Sequence, residues 1–224
     1  MTIDNTVYHN IMTIDYENLK FPPVKKGVTF VGLYYNKKNL CMKLPKLRVL
    51  FDINTTYASP SVSLDLGDNT ELINKIKEFD NIIIKIANEK GWLSGDETYI
   101  PILKESKPNP KFDRVFPPSI RGKIPVRNNL PYSTDFYNND KKPIKINNIS
   151  DISSIIKRGD HIVTSLDVNG VWFRTINNVK SWGISMNLHQ IMIGSNPVME
   201  DHCIFENSSD DDDVAEQFLF EDSD

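Results

Sequence analysis

Two stretches of this 224-residue chain set cations and aromatic rings side by side. "LYYNKKNLCMKLPKLRVLF" holds Tyr34, Tyr35, Lys37, Lys38, Lys43, Lys46 and Arg48, while "PKFDRVFPPSIRGKIPVRNN" interleaves Lys111, Arg114, Arg121, Lys123 and Arg127 with Phe112 and Phe116. A third, Gly170-Val171-Trp172-Phe173-Arg174, joins two large rings to one cation. Ammonium and guanidinium groups neutralise phosphates, and aromatic faces stack on unpaired bases for about 1–3 kcal/mol each, whatever the base. A groove with both features would follow a single strand with little sequence preference. Phe51, Phe116 and Trp172 are equally compatible with burial in a core. Strand alternation puts Trp172 and Phe173 on opposite faces, so one packs inward and the other can meet a ligand; the sequence does not say which.

Groups that would make or break covalent bonds are missing from any recognisable pattern. There is no Gly-rich phosphate loop, no nucleophile elbow, and no His-x-Glu or Cys-x-x-Cys metal spacing. His9, His161, His189 and His202 are scattered, and His202-Cys203 borders a tail too polar to supply two more ordered ligands. Asp65 and Asp68 form a carboxylate pair on paper, but Asp68 is expected to cap a helix. The expectation is a protein without an active site, cofactor or metal.

Charge divides the chain. Residues 1–180 carry all 26 Lys and Arg against 19 of the 30 acids, a net charge of +7, and residues 181–224 hold the other 11 acids and no cation. A basic body with an acidic tail suits a nucleic-acid partner, because the body attracts phosphate and the tail imitates it. It also suits a mildly basic domain with a solubilising tail. The longest apolar run, "NIIIKIA", is interrupted by Lys85 and falls far short of the roughly 18 residues that span a bilayer. No membrane association or secretion is expected, and Cys41 and Cys203, far apart and unpatterned, fit a reducing compartment.

The elements that must position these groups are mostly strands. A loosely held arm is expected over residues 1–23, a folded domain over 24–205 and a disordered acidic tail over 206–224. "LPKLRVLFDIN" and "PSVSLDLGDN" read as strands, the second with Val62, Leu64 and Leu66 on one face. Leu72, Ile76, Phe79, Ile83 and Ile86 then recur at helical spacing, capped by Asp68 or Asn69 and stopped by Gly91. Six prolines between residues 104 and 131 exclude helix there and allow only short edge strands. "LPYSTDFYNNDKKPIKIN" reads as a hairpin turning at "NND", and "DISSIIKRGD" as a short helix ended by Gly159. "HIVTSLDVNGVWFRTI" places Asn169-Gly170 as a hairpin turn, and "SWGISMNLHQIMI" as a strand bulged near His189-Gln190. About seven short strands with one long helix predict a mainly β, five-stranded Greek-key barrel with the helix inserted between strands.

With these pieces placed, the chain resembles the bacteriophage-type single-stranded DNA-binding proteins found in short-tailed coliphages and in nucleocytoplasmic large DNA viruses. The resemblance spans roughly residues 45–224. It lies in "VSLDLGDNTELINKIKEFDNIIIKIANEK", "VFPPSIRGKIPV", "DFYNNDKKPI", "IIKRGDHIVTSLDVNGVWFRTINNVKSWGISMNLHQIMI" and the acidic tail. It implies an OB-fold barrel, no enzymatic activity, and sequence-independent binding of single-stranded DNA in replication, recombination and repair. It also implies a tail that competes with DNA and recruits replication proteins such as a polymerase or helicase. Asp210, Asp211, Asp212 and Asp213 would stand in for phosphates, and Phe218, Leu219 and Phe220 would anchor the tail. The phage tails end in an aromatic residue, whereas here Glu221-Asp222-Ser223-Asp224 follow Phe220. An internal Phe-Leu-Phe anchor is the form this sequence supports. Such a protein would act inside the host cell, in a cytoplasmic viral factory or the nucleus.

Two other functions fit the same residues: a protein-interaction or virion structural module, and an RNA-binding protein of the same fold. The oligomeric state is left open, a homodimer included.

Overall fold

Apolar–polar alternation becomes strand at Val62 and Leu64, and three- and four-residue spacing becomes helix from Leu72 onward. A computed structural model of the chain describes residues 6–23, 28–54, 60–105 and 115–194. Seven strands come first: β1 (Thr6–Asn10), β2 (Leu19–Lys20), β3 (Phe30–Gly32), β4 (Tyr34–Tyr35), β5 (Asn39–Lys43), β6 (Leu47–Val49) and β7 (Ser61–Asp65). The long helix α1 (Thr70–Glu89) follows, then β8 (Thr98–Ile100), β9 (Ser119–Lys123), β10 (Val126–Arg127), β11 (Leu130–Pro131) and β12 (Asp135–Tyr137). The short α2 (Ile149–Ile155) precedes two long strands, β13 (His161–Ile176) and β14 (Val179–Ile193). The protein is mainly β, as expected.

Five of these strands form a closed circuit of pairings. β6 pairs with β7, β7 with β9, β9 with β14, β14 with β13, and β13 back to β6. Every pairing in the circuit is antiparallel except β9 with β14. Inside lie Val49, Val62, Leu64, Ile120, Ile162, Leu166 and Leu188, all buried. Gly122 also faces inward: a Cβ there would stand 2.7 Å from Leu188 Cγ and 3.0 Å from Leu166 Cδ2. Any side chain at 122 would displace two core leucines.

The helix α1 buries Ala87 and, at about 1.5–3 kcal/mol each, Leu72, Ile76, Phe79 and Ile83, which hold it firmly to the body. Asn69 caps it, its side chain accepting from the Leu72 N–H at 3.0 Å, so Asp68 is not the cap. Gly91 ends it at φ +64°.

Several expectations are corrected. Residues 6–20 are not a loose arm, because β1 pairs in parallel with β5 and Ile11, Ile14, Tyr16 and Leu19 are buried in the core. Asn169-Gly170 is not a turn; both lie within β13, where the register slips between Val168 and Gly170. Glycine is needed there because a Cβ would stand 2.1 Å from the Val31 carbonyl oxygen on β3. The turn is Asn177-Asn178, with φ +50° and +62°, the conformation a two-residue hairpin requires. β9 is not an edge strand: it fits between Pro118 and Pro125 and pairs on both sides. The bulge at His189 is present, since Ser165 opposes Gln190 while Leu166 opposes Leu188. The turn in "NND" is present too, Asn138 N–H donating to Lys142 O at 3.0 Å.

Candidate functional site

The outer face of β6, β7 and β9 carries three exposed cations. Register aligns Arg48 with Asp65 and Asp65 with Ser119, then Ser63 with Arg121 and Ser61 with Lys123. The middle strand offers serines, and exposed Arg48, Arg121 and Lys123 stand on either side of it. Arg48 gives Nε and Nη2 to Asp65 Oδ2 at 3.1 and 2.6 Å, while Asp65 Oδ1 accepts from the Gly67 N–H at 2.8 Å. This pair aims the guanidinium and leaves its other N–H groups for an incoming acceptor. Arg121 Nε donates to Ser61 Oγ at 2.5 Å, which braces a second cation across the strands.

At one end of this face, β6 runs into a cleft of about 440 Å³ lined by Arg48, Val49, Leu50, Val115, Phe116, Pro117, Arg158 and Gly159. Phe51 and Phe116 are 43% and 49% exposed, and their rings meet edge to face with centroids 5.3 Å apart. The loop carrying Arg158 is tied down twice: Arg158 N–H donates to Asp52 Oδ1 at 3.0 Å and Gly159 N–H to Val49 O at 2.8 Å. Among the described residues no acid pairs with the Arg158 guanidinium. Two accessible rings, one of them lining the same cleft as two arginines, can stack planar groups and neutralise an anion in one place.

A second aromatic surface lies where β3 flanks β13. Trp172 opposes Phe30 and Gly170 opposes Gly32, so Phe30, Trp172 and Arg174 share a face, with the Tyr34 ring over Gly32. Phe30 and Tyr34 are 47% and 40% exposed. Trp172 is held closely: its Nε1 donates to Ile184 O at 3.2 Å, and the Arg174 guanidinium sits 4.1 Å from its ring centroid. Phe173 takes the opposite face, stacking on buried Trp182 and meeting Trp92 edge-on. It is therefore the inward member of the pair. A trough of about 1000 Å³ runs past Trp92, Phe173 and Lys180. Larger than the cleft, it is lined by Lys90, Arg174 and Lys180 together with Glu97, and Lys180 is matched by Asp96 at 2.9 Å.

The other expected residues are dispersed. Tyr35 is buried against His9, with ring centroids 4.4 Å apart, and offers no face to a ligand. Lys37 and Lys38 stand exposed at the turn between β4 and β5. Lys43 is half-buried on β5, and Lys46 is exposed just before β6. Arg127 lies over Tyr132 at 4.8 Å on the β10–β11 ribbon. Lys111, Phe112 and Arg114, and the tail residues Asp210 to Asp213 and Phe218 to Phe220, lie outside the described residues. Sequence reasoning missed Arg158 and Phe30. The signal for Arg158 was the Lys-Arg-Gly-Asp turn, which reads first as a helix stop. No group of three His, Cys, Asp or Glu among the described residues is placed to hold a metal.

Neither a family model nor a curated protein matches the sequence. Solved structures that resemble it include the single-stranded DNA-binding protein from bacteriophage Enc34 in complex with ssDNA, at 15% identity and a TM-score of 0.45, covering 80% of this chain and 97% of that one. A C-terminal truncation of the Enc34 protein gives 17% identity and a TM-score of 0.47, covering 82% of this chain and 96% of that one. A further structure of the single-stranded DNA-binding protein from bacteriophage Enc34 gives 14% identity and a TM-score of 0.39, covering 85% of this chain and 98% of that one. Similarity of this degree assigns no residue a role.

Proposed function

We propose that this protein binds single-stranded DNA without sequence preference. One observation carries the reading: exposed Phe116 lines one cleft with Arg48 and Arg158, its ring 5.3 Å from that of exposed Phe51, at the end of a face that continues through Arg121 and Lys123. Duplex DNA hides its base faces, so exposed rings flanked by cations favour an unpaired strand. The choice of DNA over RNA follows the sequence resemblance. The five-strand circuit, with its single parallel pairing between β9 and β14, is taken as an OB-type barrel.

Replication, recombination and repair of a large viral genome are the processes this binding would serve. The nine acids of residues 206–224 would compete with DNA for the cationic face and, once displaced, recruit a polymerase or helicase. A fluorescence titration with oligo-dT tests the reading. Binding should weaken with salt at about 0.7 log units per phosphate neutralised, and duplex of equal length should compete poorly. Deleting residues 206–224 should tighten binding at low salt. No binding to oligo-dT at any salt would leave a protein-interaction or virion module instead, and RNA outcompeting DNA of the same sequence would reassign the ligand.

A further inference from the structure

A buried carboxylate behind the cationic face reaches it through five residues of chain. Asp80, on the inner side of α1 and 6% exposed, accepts hydrogen bonds from the Tyr99 hydroxyl and from the Ile102 N–H, the latter at 3.2 Å from each oxygen. Burial pushes its carboxyl upward against the pull of these donors. The segment held in this way leads straight to Lys104, whose backbone makes both bonds of a bridge to Ser119, at 2.7 and 3.0 Å. Ser119 opposes Asp65, which opposes Arg48. Lys104 therefore completes a row across the cationic face, two positions along β9 from Arg121.

The amine of Lys104 donates to Pro101 O at 2.8 Å, leaving two protons for another acceptor. The acids nearby are engaged elsewhere: Asp65 with Arg48, Glu105 with Lys77 at 2.7 Å, and Asp80 inside the protein. Partial burial pulls the Lys104 ammonium down; Asp80 opposes this and Arg121 adds to it. An ammonium pulled down by burial and by a neighbouring guanidinium is an arrangement that a bound phosphate relieves.

We propose that Lys104 is a further phosphate contact of the single-strand site and that Asp80 is the positioning residue that sets it there. This rests on the function proposed above. The test is the salt dependence of oligo-dT binding, followed by fluorescence. Lys104→Ala, an exposed change, should weaken binding about fivefold at low salt and reduce the salt slope by about 0.7. Asp80→Ala should reduce the slope equally, the double variant should be no weaker than Lys104→Ala alone, and Asp80→Asn, which keeps an acceptor for Ile102, should retain the wild-type slope. Tyr99→Phe, which removes one donor to Asp80 and little packing, should move the slope the same way if Asp80→Ala does not fold. A wild-type slope in Lys104→Ala overturns the contact while leaving the parent function intact. Losses that multiply in the double variant, or an unchanged slope in both Asp80→Ala and Tyr99→Phe, overturn the positioning role. Wild-type protein that fails to bind oligo-dT overturns the parent function and this inference together.

Discussion

Phe51 with Phe116, and Phe30 with Trp172, are two aromatic pairs beside arginines, yet their cations are engaged differently. In the cleft the rings contact each other, Arg48 is aimed by Asp65, and Arg158 has no acid partner among the described residues. On the β3–β13 surface Arg174 lies over the Trp172 indole, so ring and cation satisfy each other. The difference teaches that aromatic and basic composition does not by itself make a binding surface. What counts is whether the cation and the ring face are already occupied.

The strongest test of this contrast is Phe51→Ala with Phe116→Ala. Loss of two stacking platforms at about 1–3 kcal/mol each should weaken oligo-dT binding by more than tenfold, read by fluorescence titration, with the melting temperature nearly unchanged because both rings are half exposed. Retained affinity would move the site off the cleft. Next in size, Gly183→Ala should destabilise the fold by about 1–3 kcal/mol in a denaturant titration, since its Cβ would stand 2.9 Å from both the Ile100 carbonyl oxygen and the Trp172 ring. DNA affinity should not follow; if it falls in step, Trp172 belongs to the site. Arg158→Ala should lower affinity about fivefold and reduce the salt slope by about 0.7. The smallest effect is expected from Arg174→Ala, which should leave binding alone and cost about 0.5–1 kcal/mol of stability through the lost cation–π contact. A DNA defect as large as that of Arg158→Ala would merge the two surfaces into one.

Local signals in the sequence were legible where the interactions they report are local. The helix appears over Thr70–Glu89 with its cap at Asn69 and its stripe from Leu72 to Ile83, Ala87 replacing Ile86 as the last buried position, because a 3.6-residue period and an Asn side chain act within a few residues. The His189 bulge was visible for the same reason. The Asn169-Gly170 hairpin failed because glycine there answers to β3, more than 130 residues away in sequence, and a close backbone approach leaves the same residue type as a turn. Of the residues expected to meet phosphate, Arg48, Arg121 and Lys123 stand exposed on β6 and β9, because alternation along a strand is a local signal. Tyr35 is buried instead, and nothing near it in sequence reveals that it packs against His9. Arg158 joins Phe51 and Phe116 only through the tertiary fold, which no spacing in the chain records.

The circuit of strands also sets an order of events. β6, β7 and β9 can pair among themselves once residue 123 has been made, but both outer edges of that ribbon wait for β13 and β14, ending at Ile193. Nascent chains shorter than this hold the helices and open-edged strands, the state most prone to pairing with a neighbour. Closure of the circuit thus waits for its last two strands, governed by contacts between distant parts of the chain, and it should be slow for its size.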